Sequence, residues 1–114
     1  MPADRLAVLK GTLDVLVLKA LAWGPMHGFE VADWLEGRSS ETLALDDSAL
    51  YQALYRLEGK GLVAAEWGVT ENSRRARYYH VTRTGRAHLT RETDSWLRYA
   101  TTVTRILTEP LPAR

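Results

Sequence analysis

The 114-residue chain predicts a mainly α fold with one small β-hairpin, on three observations. Apolar residues recur at helical spacing in three successive stretches up to Lys60. Two short runs rich in β-branched and aromatic residues follow, joined by a polar, turn-prone segment. The remainder, to about Glu109, keeps an apolar stripe of helical period to its last turn.

From about Arg5 to Trp23, Leu6, Leu9, Leu13, Leu16, Val17, Ala20 and Leu21 repeat with helical period, and Gly24-Pro25 stops the run. A second helix fits His27 to Glu36, with His27 as a capping or otherwise satisfied polar residue and Phe29, Val31, Ala32, Trp34 and Leu35 available to a core. Arg38 to Leu45 is a loop or short extended piece. A third helix opens at Asp46 or Asp47, either of which can cap it, and runs to Lys60 before Gly61. On this helix Leu50, Leu54 and Leu57 stack on one side, while Ser48, Tyr51, Gln52, Tyr55 and Gly59 fall on the other. Leu62 to Trp67 and Arg77 to Thr82 are the two strands, and Gly68 to Ala76 joins them. Trp23, Trp34 and Trp67 read as core or core-edge residues.

Thr82 then caps a last helix of about 26 residues, ~39 Å long at 1.5 Å per residue. Its stripe of Leu89, Thr93, Trp96/Leu97, Ala100, Val103/Thr104 and Leu107 outruns what a domain of this size covers by itself. A second copy of the chain is the simplest cover. Three helices and a hairpin make a winged helix-turn-helix, giving an expected winged unit over 1–82, a dimerisation helix over 83–109 and a tail over 110–114.

Charge indicates a partner. The net charge is only +1, yet Ser73 to Arg91 holds six arginines, two histidines and no acid, whereas acids run through the middle from Glu30 to Glu71. Segregation of this kind suits a polyanion such as double-stranded DNA. The third helix has the width of a major groove, and its polar face of Ser48, Tyr51, Gln52 and Tyr55 can reach base edges. Ser48 is alternatively a phosphate donor or helix cap, and the two tyrosines alternatively partly buried aromatics. Arg74 and Arg75 at the hairpin tip reach flanking phosphates, with Lys10 and Lys60 as further phosphate contacts. Arg77 either joins them or pairs with Glu66 across the hairpin. The competing reading is a winged helix that grips an acidic protein partner without reading DNA sequence.

Other classes are disfavoured. There are no cysteines, hence no disulfide framework, thiolate nucleophile or cysteine metal site. The three histidines lack a second ligand at metal spacing. No glycine-rich phosphate loop, serine elbow or carboxylate pair stands out, so neither an enzyme nor a cofactor is expected. The start, MPADRLAVLKG, has no signal-peptide core, and Leu13 to Trp23 is too short to span a bilayer. A cytoplasmic location away from membranes is expected.

The segments LKGTLDVLVLKALAWGPMHGFEVADWL, ALYQALYRLEGKGLVAAEW and RRARYYHVTRTGRAHL, within Leu9 to Leu89, resemble the PadR-like bacterial transcriptional regulators. The single terminal helix resembles the short type of that family. The resemblance implies a homodimeric repressor whose last helix packs on its partner, bound to an inverted-repeat operator and in many members released by a small molecule. It assigns ALYQALYRLE, with Tyr51, to the recognition helix and Arg74, Arg75 and Arg77 to the basic wing. The chain departs from the pattern at Gln52, where proline is usual, and at Ala49, where serine is frequent; Gln52 could instead hydrogen-bond adenine. Some members hold flat aromatic ligands against a tryptophan at the dimer interface. That makes Trp96 a candidate for stacking on a small aromatic effector, beside its simpler role as an interface-packing residue.

Overall fold

A computed structural model describes Arg5 to Ala113; the first four residues and the last, at the ends of the expected winged unit and tail, lie outside the described residues. Three helices form the body: α1 (Leu13–Leu21), α2 (Gly28–Arg38) and α3 (Asp47–Gly59). Between and before them lie short strands β1 (Leu6–Ala7), β2 (Met26–His27) and β3 (Leu43–Ala44). The hairpin β4 (Val63–Val69) and β5 (Arg75–Val81) follows, then α4 (Arg83–Leu107). The arrangement is a winged helix with a long terminal helix.

The buried side chains explain the order of packing. Val17, Leu18 and Leu21 of α1, Val31 and Leu35 of α2, and Leu50, Leu54 and Leu57 of α3 meet in one core. Val63, Tyr79 and Val81 close it from the root of the hairpin. Asp46 caps α3, accepting the Ser48 N–H at 3.2 Å. At the other end the N–H of Leu62 donates to the Leu57 carbonyl and that of Gly61 to the Glu58 carbonyl, with Gly61 at φ +74. This double-bonded left-handed stop turns the chain from α3 directly into β4, and only glycine takes that φ without strain.

Three expectations change. The first helix begins at Leu13, eight residues later than Arg5, because Gly11 sits at φ +91 and Leu6–Ala7 pair in parallel with Leu43–Ala44. Arg5 fastens this strand by donating to the carbonyls of Glu41 and Leu43. The hairpin gains a third strand, since β2 pairs antiparallel with β5, Met26 opposite Tyr79 and His27 opposite Tyr78. Phe29, Trp23 and Trp67 are exposed, not core. Phe29 and Trp67 belong to a cleft described below, and Trp23 lies beside Trp34 with the Arg38 guanidinium near both rings.

Helix α4 starts as expected. The Thr82 hydroxyl accepts the Gly85 N–H at 3.0 Å and donates to the Gly61 carbonyl at 2.7 Å. Gly85 is its one buried residue among those described; Leu89 packs partly on the core, and Leu97, Tyr99, Ile106 and Leu107 stand in solvent. A helix of 25 residues projecting this way stretches the molecule to 66 × 36 × 20 Å. No helix among the described residues is long and apolar enough to cross a membrane.

Gly85 is where α4 docks. A Cβ there would lie 2.0 Å from the Leu62 carbonyl oxygen and 2.8 Å from a Val81 methyl. Gly85→Ala is therefore expected to lower unfolding free energy by about 1–3 kcal/mol, as overpacking does. Gly37→Ala in α2, where nothing lies within 4 Å of the added Cβ, should instead stabilise by about 0.5–1 kcal/mol. Urea denaturation of the two variants measures both signs.

Candidate nucleic-acid interface

The outward face of α3 follows from its inward one. With Leu50, Ala53, Leu54 and Leu57 buried, Ser48, Tyr51, Gln52 and Tyr55 emerge exposed on the opposite arc. Grooves run along both flanks of this helix. On one side, Tyr51 and Tyr55 face the hairpin across a cleft of about 820 Å³. Its walls include Phe29, Trp67, Arg74, Arg75 and Arg77, with the carboxylates Glu30 and Glu71 among them. On the other side, Gln52 and Arg56 share a groove of about 370 Å³ with Lys10 from the N-terminal segment.

Tyr51 sits at the junction of α3, α2 and the wing. Its ring and hydroxyl lie over Gly28, so close that a Cβ on that glycine would come within 2.5 Å of the ring. Next to it, His27 caps α2: its Nδ1 accepts the Glu30 N–H at 3.3 Å, and Glu30 Oε1 accepts the His27 N–H at 3.1 Å. The His27 ring meets Tyr78 edge-on at 5.4 Å. Tyr78 in turn covers Gly68, on which a Cβ would meet the Tyr78 ring at 2.7 Å. The α2 start, the wing and α3 therefore interlock through aromatic rings set against glycines.

Ion pairs divide the arginines into two groups. Arg56 is bound to Asp14 of α1, with contacts of 2.6 and 3.4 Å, and this pairing raises its pKa. Arg77 binds Glu58 of α3 at 2.7 Å rather than Glu66, because odd residues of β5 face α3 while Glu66 lies opposite Tyr78 on the other side of the sheet. The Glu58 hydrogen bond is the main reason that the Arg77 pKa is also raised. Burial pushes the Tyr79 phenol up, consistent with a packing role. Arg74 and Arg75 are exposed and make no ion pair among the described residues.

The wing tip is built to hold these two outward. The Ser73 N–H donates to the Thr70 carbonyl at 2.9 Å, and the Arg74 N–H to the Thr70 hydroxyl at 3.3 Å. Ser73 adopts φ 59, the left-handed turn that brings the chain back into β5. Thus Tyr51, Tyr55, Arg74, Arg75 and Arg77 come together in one cleft, and Gln52 and Lys10 in the groove across α3. Lys60 lies apart, following α3 at the end remote from Ser48, 12 residues or ~18 Å along the axis. Trp96 belongs to a different place, an apolar groove of about 530 Å³ between the N-terminal segment, α1 and α4, with Leu6, Leu9, Leu16 and Leu89.

Sequence reasoning missed Phe29 and Trp67 as cleft residues. Trp67 shares its strand face with buried Val63, so alternation suggested core, but the hairpin runs past the edge of the body and leaves the indole 61% exposed. Its neighbourhood was the available signal: a tryptophan in a hairpin whose other strand carries Arg75 and Arg77. Among the described residues no cluster of three or more potential metal ligands occurs.

If the Tyr51–Gly28 contact sets the ring's position, Gly28→Ala should displace the tyrosine with little change in helix content by circular dichroism. Its DNA affinity in a gel shift is expected to fall about tenfold, the cost of roughly 1.4 kcal/mol. A Gly28→Ala protein that bound as the wild type would show that the ring position is immaterial.

Comparison with known proteins agrees with this geometry. Residues 17–91 match the family described as the transcriptional regulator PadR-like family. A protein of Lysinibacillus sphaericus is 25% identical over 92 residues, covering 81% of this chain and 84% of that protein. A 37.1 kDa protein in transposon TN4556 of Streptomyces fradiae is 40% identical over 85 residues, 75% of this chain but 23% of that protein. The crystal structure of a PadR family transcriptional regulator from Eggerthella lenta superposes with a TM-score of 0.76 at 28% identity, covering 89% of this chain and 86% of that one. With the match extending from the middle of α1 into α4, the chain belongs to the PadR-like family of DNA-binding transcriptional regulators.

Proposed function

We propose that the chain acts as a homodimeric repressor on an inverted-repeat operator. The observation that carries this is the cleft that sets Tyr51 and Tyr55 of the exposed α3 face beside Arg74 and Arg75 of the wing, which make no ion pair among the described residues. In this reading the winged unit over 1–82 contacts DNA, 83–109 forms the dimer, and 110–114 is a tail. Ser48, Tyr51, Gln52 and Tyr55 enter the major groove, while Arg74 and Arg75 hold the flanking backbone. Lys10 reaches a phosphate beside Gln52. Lys60 contributes through general positive charge at the end of α3, and Arg77 chiefly by fixing the wing to α3 through Glu58.

Exposed Trp96, Leu97, Ile106 and Leu107 support the dimer, since a helix with apolar residues along its outer half gains stability by covering them. Two chains joined along α4 would place two α3 helices about one DNA turn apart, ~34–36 Å. The apolar groove beside Trp96 supports a flat aromatic effector that stacks on the indole. The protein-interaction reading is weaker, because an acidic partner gripped by the wing leaves the exposed Ser48, Gln52 and Tyr55 without a role.

Sedimentation equilibrium should give twice the chain mass; a lone protomer at micromolar concentration overturns the dimer. Binding to a duplex selected from a random pool should weaken by ~10³–10⁵ between 50 and 200 mM salt if 6–10 phosphates are neutralised. The Arg74→Ala/Arg75→Ala variant should lose affinity for all sequences alike, whereas Gln52→Ala should change preference at one base step. For the effector, planar dyes titrated against wild type and Trp96→Ala should bind the variant more weakly, and equal affinity dismisses the stacking role.

A further inference from the structure

The wing carries a large aromatic side chain that the core does not use. Trp67 is 61% exposed, near the outer end of β4, and its burial adds little to the fold. On the facing strand Arg77 lies directly opposite, and Arg75 lies two residues further toward the tip on the same face. The Arg75 guanidinium carbon sits over the Trp67 ring, 4.6 Å from its centroid. Arg77 is already held by Glu58 at 2.7 Å. Arg75 has no carboxylate partner among the described residues, so the indole is its fixed neighbour.

This arrangement has a definite chemical consequence. An arginine over an aromatic face is attracted by the ring's quadrupole, yet its N–H edges remain free to donate. A phosphate is recognised by that edge, in a bidentate fork, and not by the face. A carboxylate partner would occupy the fork and cancel the charge; an indole does neither. A free arginine on a hairpin tip also samples many rotamers, which must be given up when it contacts a ligand. Seating it on Trp67 removes part of that loss beforehand.

We propose that Trp67 is a positioning residue for Arg75, holding its guanidinium over the wing with the N–H edge free for a DNA backbone phosphate beside the α3 groove. The inference rests on the DNA-binding reading above and adds to it how one of the two wing arginines is presented. Trp67 acts through Arg75 and needs no contact of its own with DNA. The two neighbouring arginines thereby have different roles, one steering the wing against α3 and the other facing the ligand.

A double-mutant cycle tests it, with full-length protein and a duplex that the wild type selects from a random pool at low salt. Trp67→Ala should weaken binding about three- to tenfold, the scale of immobilising one rotamer-rich side chain. Trp67→Phe, which keeps an aromatic platform, should recover affinity to within about twofold of the wild type. In an Arg75→Ala background, where affinity is already reduced, adding Trp67→Ala should change it by less than about twofold. Arg75→Ala should also flatten the log–log salt dependence by about 0.9 for each phosphate contact removed.

Equal loss from Trp67→Ala with and without Arg75 would overturn the proposal, because the ring would then act on DNA or on the fold directly. So would wild-type affinity in Trp67→Ala, with the DNA reading left intact. A wild type that selects no duplex overturns both.

Discussion

Burial of Leu50, Ala53, Leu54 and Leu57 fixes the rotation of α3 about its own axis, and the residues it turns to solvent follow from that rotation. Each fully buried leucine contributes about 1.5–3 kcal/mol, so turning the helix by a single residue would forfeit several times what any exposed polar contact returns. Ser48, Gln52 and Tyr55 are outward because there is no other way to seat the leucines. The same seating brings Tyr51 over Gly28 and Glu58 to within 2.7 Å of Arg77, which fixes where the wing stands relative to the helix. Apolar packing therefore sets the geometry of a polar surface, and the polar residues only decide what that surface recognises.

Electrostatics within the molecule sort the cations. Arg56 and Arg77 stand on opposite flanks of the wing-helix assembly and are consumed by Asp14 and Glu58, which tie α3 to α1 and to β5. Such pairs at the surface are chiefly geometric devices, since solvent screens their attraction. At the hairpin Arg74 and Arg75 make no ion pair among the described residues. A chain of net charge +1 can in this way present two cations side by side at the wing, although Glu66 and Glu71 also lie on the hairpin and Glu71 lines the same cleft. Net charge alone would have given no reason to expect a polyanion partner.

Local signals made most of the fold legible. The leucine spacing of α3, the aspartate before it, Gly61 after it and Thr82 before α4 are features whose physics acts within a few residues. Failures came where a distant segment decided the outcome. Leu6 and Leu9 have helical spacing, yet the backbone there pairs with Leu43–Ala44, and Gly11 at φ +91 separates it from α1. Strand β2 was illegible because two residues, Met26 and His27, carry no pattern of their own and become a strand only when β5 lies alongside. Among the site residues, the polar face and the tip arginines were readable from period and turn chemistry. The partner of Arg77 was not: strand alternation puts Glu66 on the wrong face, and the right carboxylate lies on another element, 19 residues away.

Helix α4 carries its apolar stripe beyond the body, where nothing among the described residues covers it. Isolated helices are marginal in water, so 25 ordered residues with one buried position among those described need cover along their outer half. At its start, though, the helix is held tightly: the Thr82 hydroxyl bonds the carbonyls of Gly61 and Leu62, and Gly85 admits the Leu62 carbonyl against the first turn. Gly61 and Leu62 are also the residues that terminate α3. A change in the tilt of α4 would thus reach the end of α3 through the Gly61–Leu62 backbone, with only the short Thr82 side chain between them. The apolar groove beside Trp96 lies between α4, α1 and the β1 segment, so an occupant that binds one tilt better than another shifts the balance between tilts by its difference in affinity. The same two residues anchor both helices, the N–H groups of Gly61 and Leu62 closing α3 and their carbonyls receiving the start of α4.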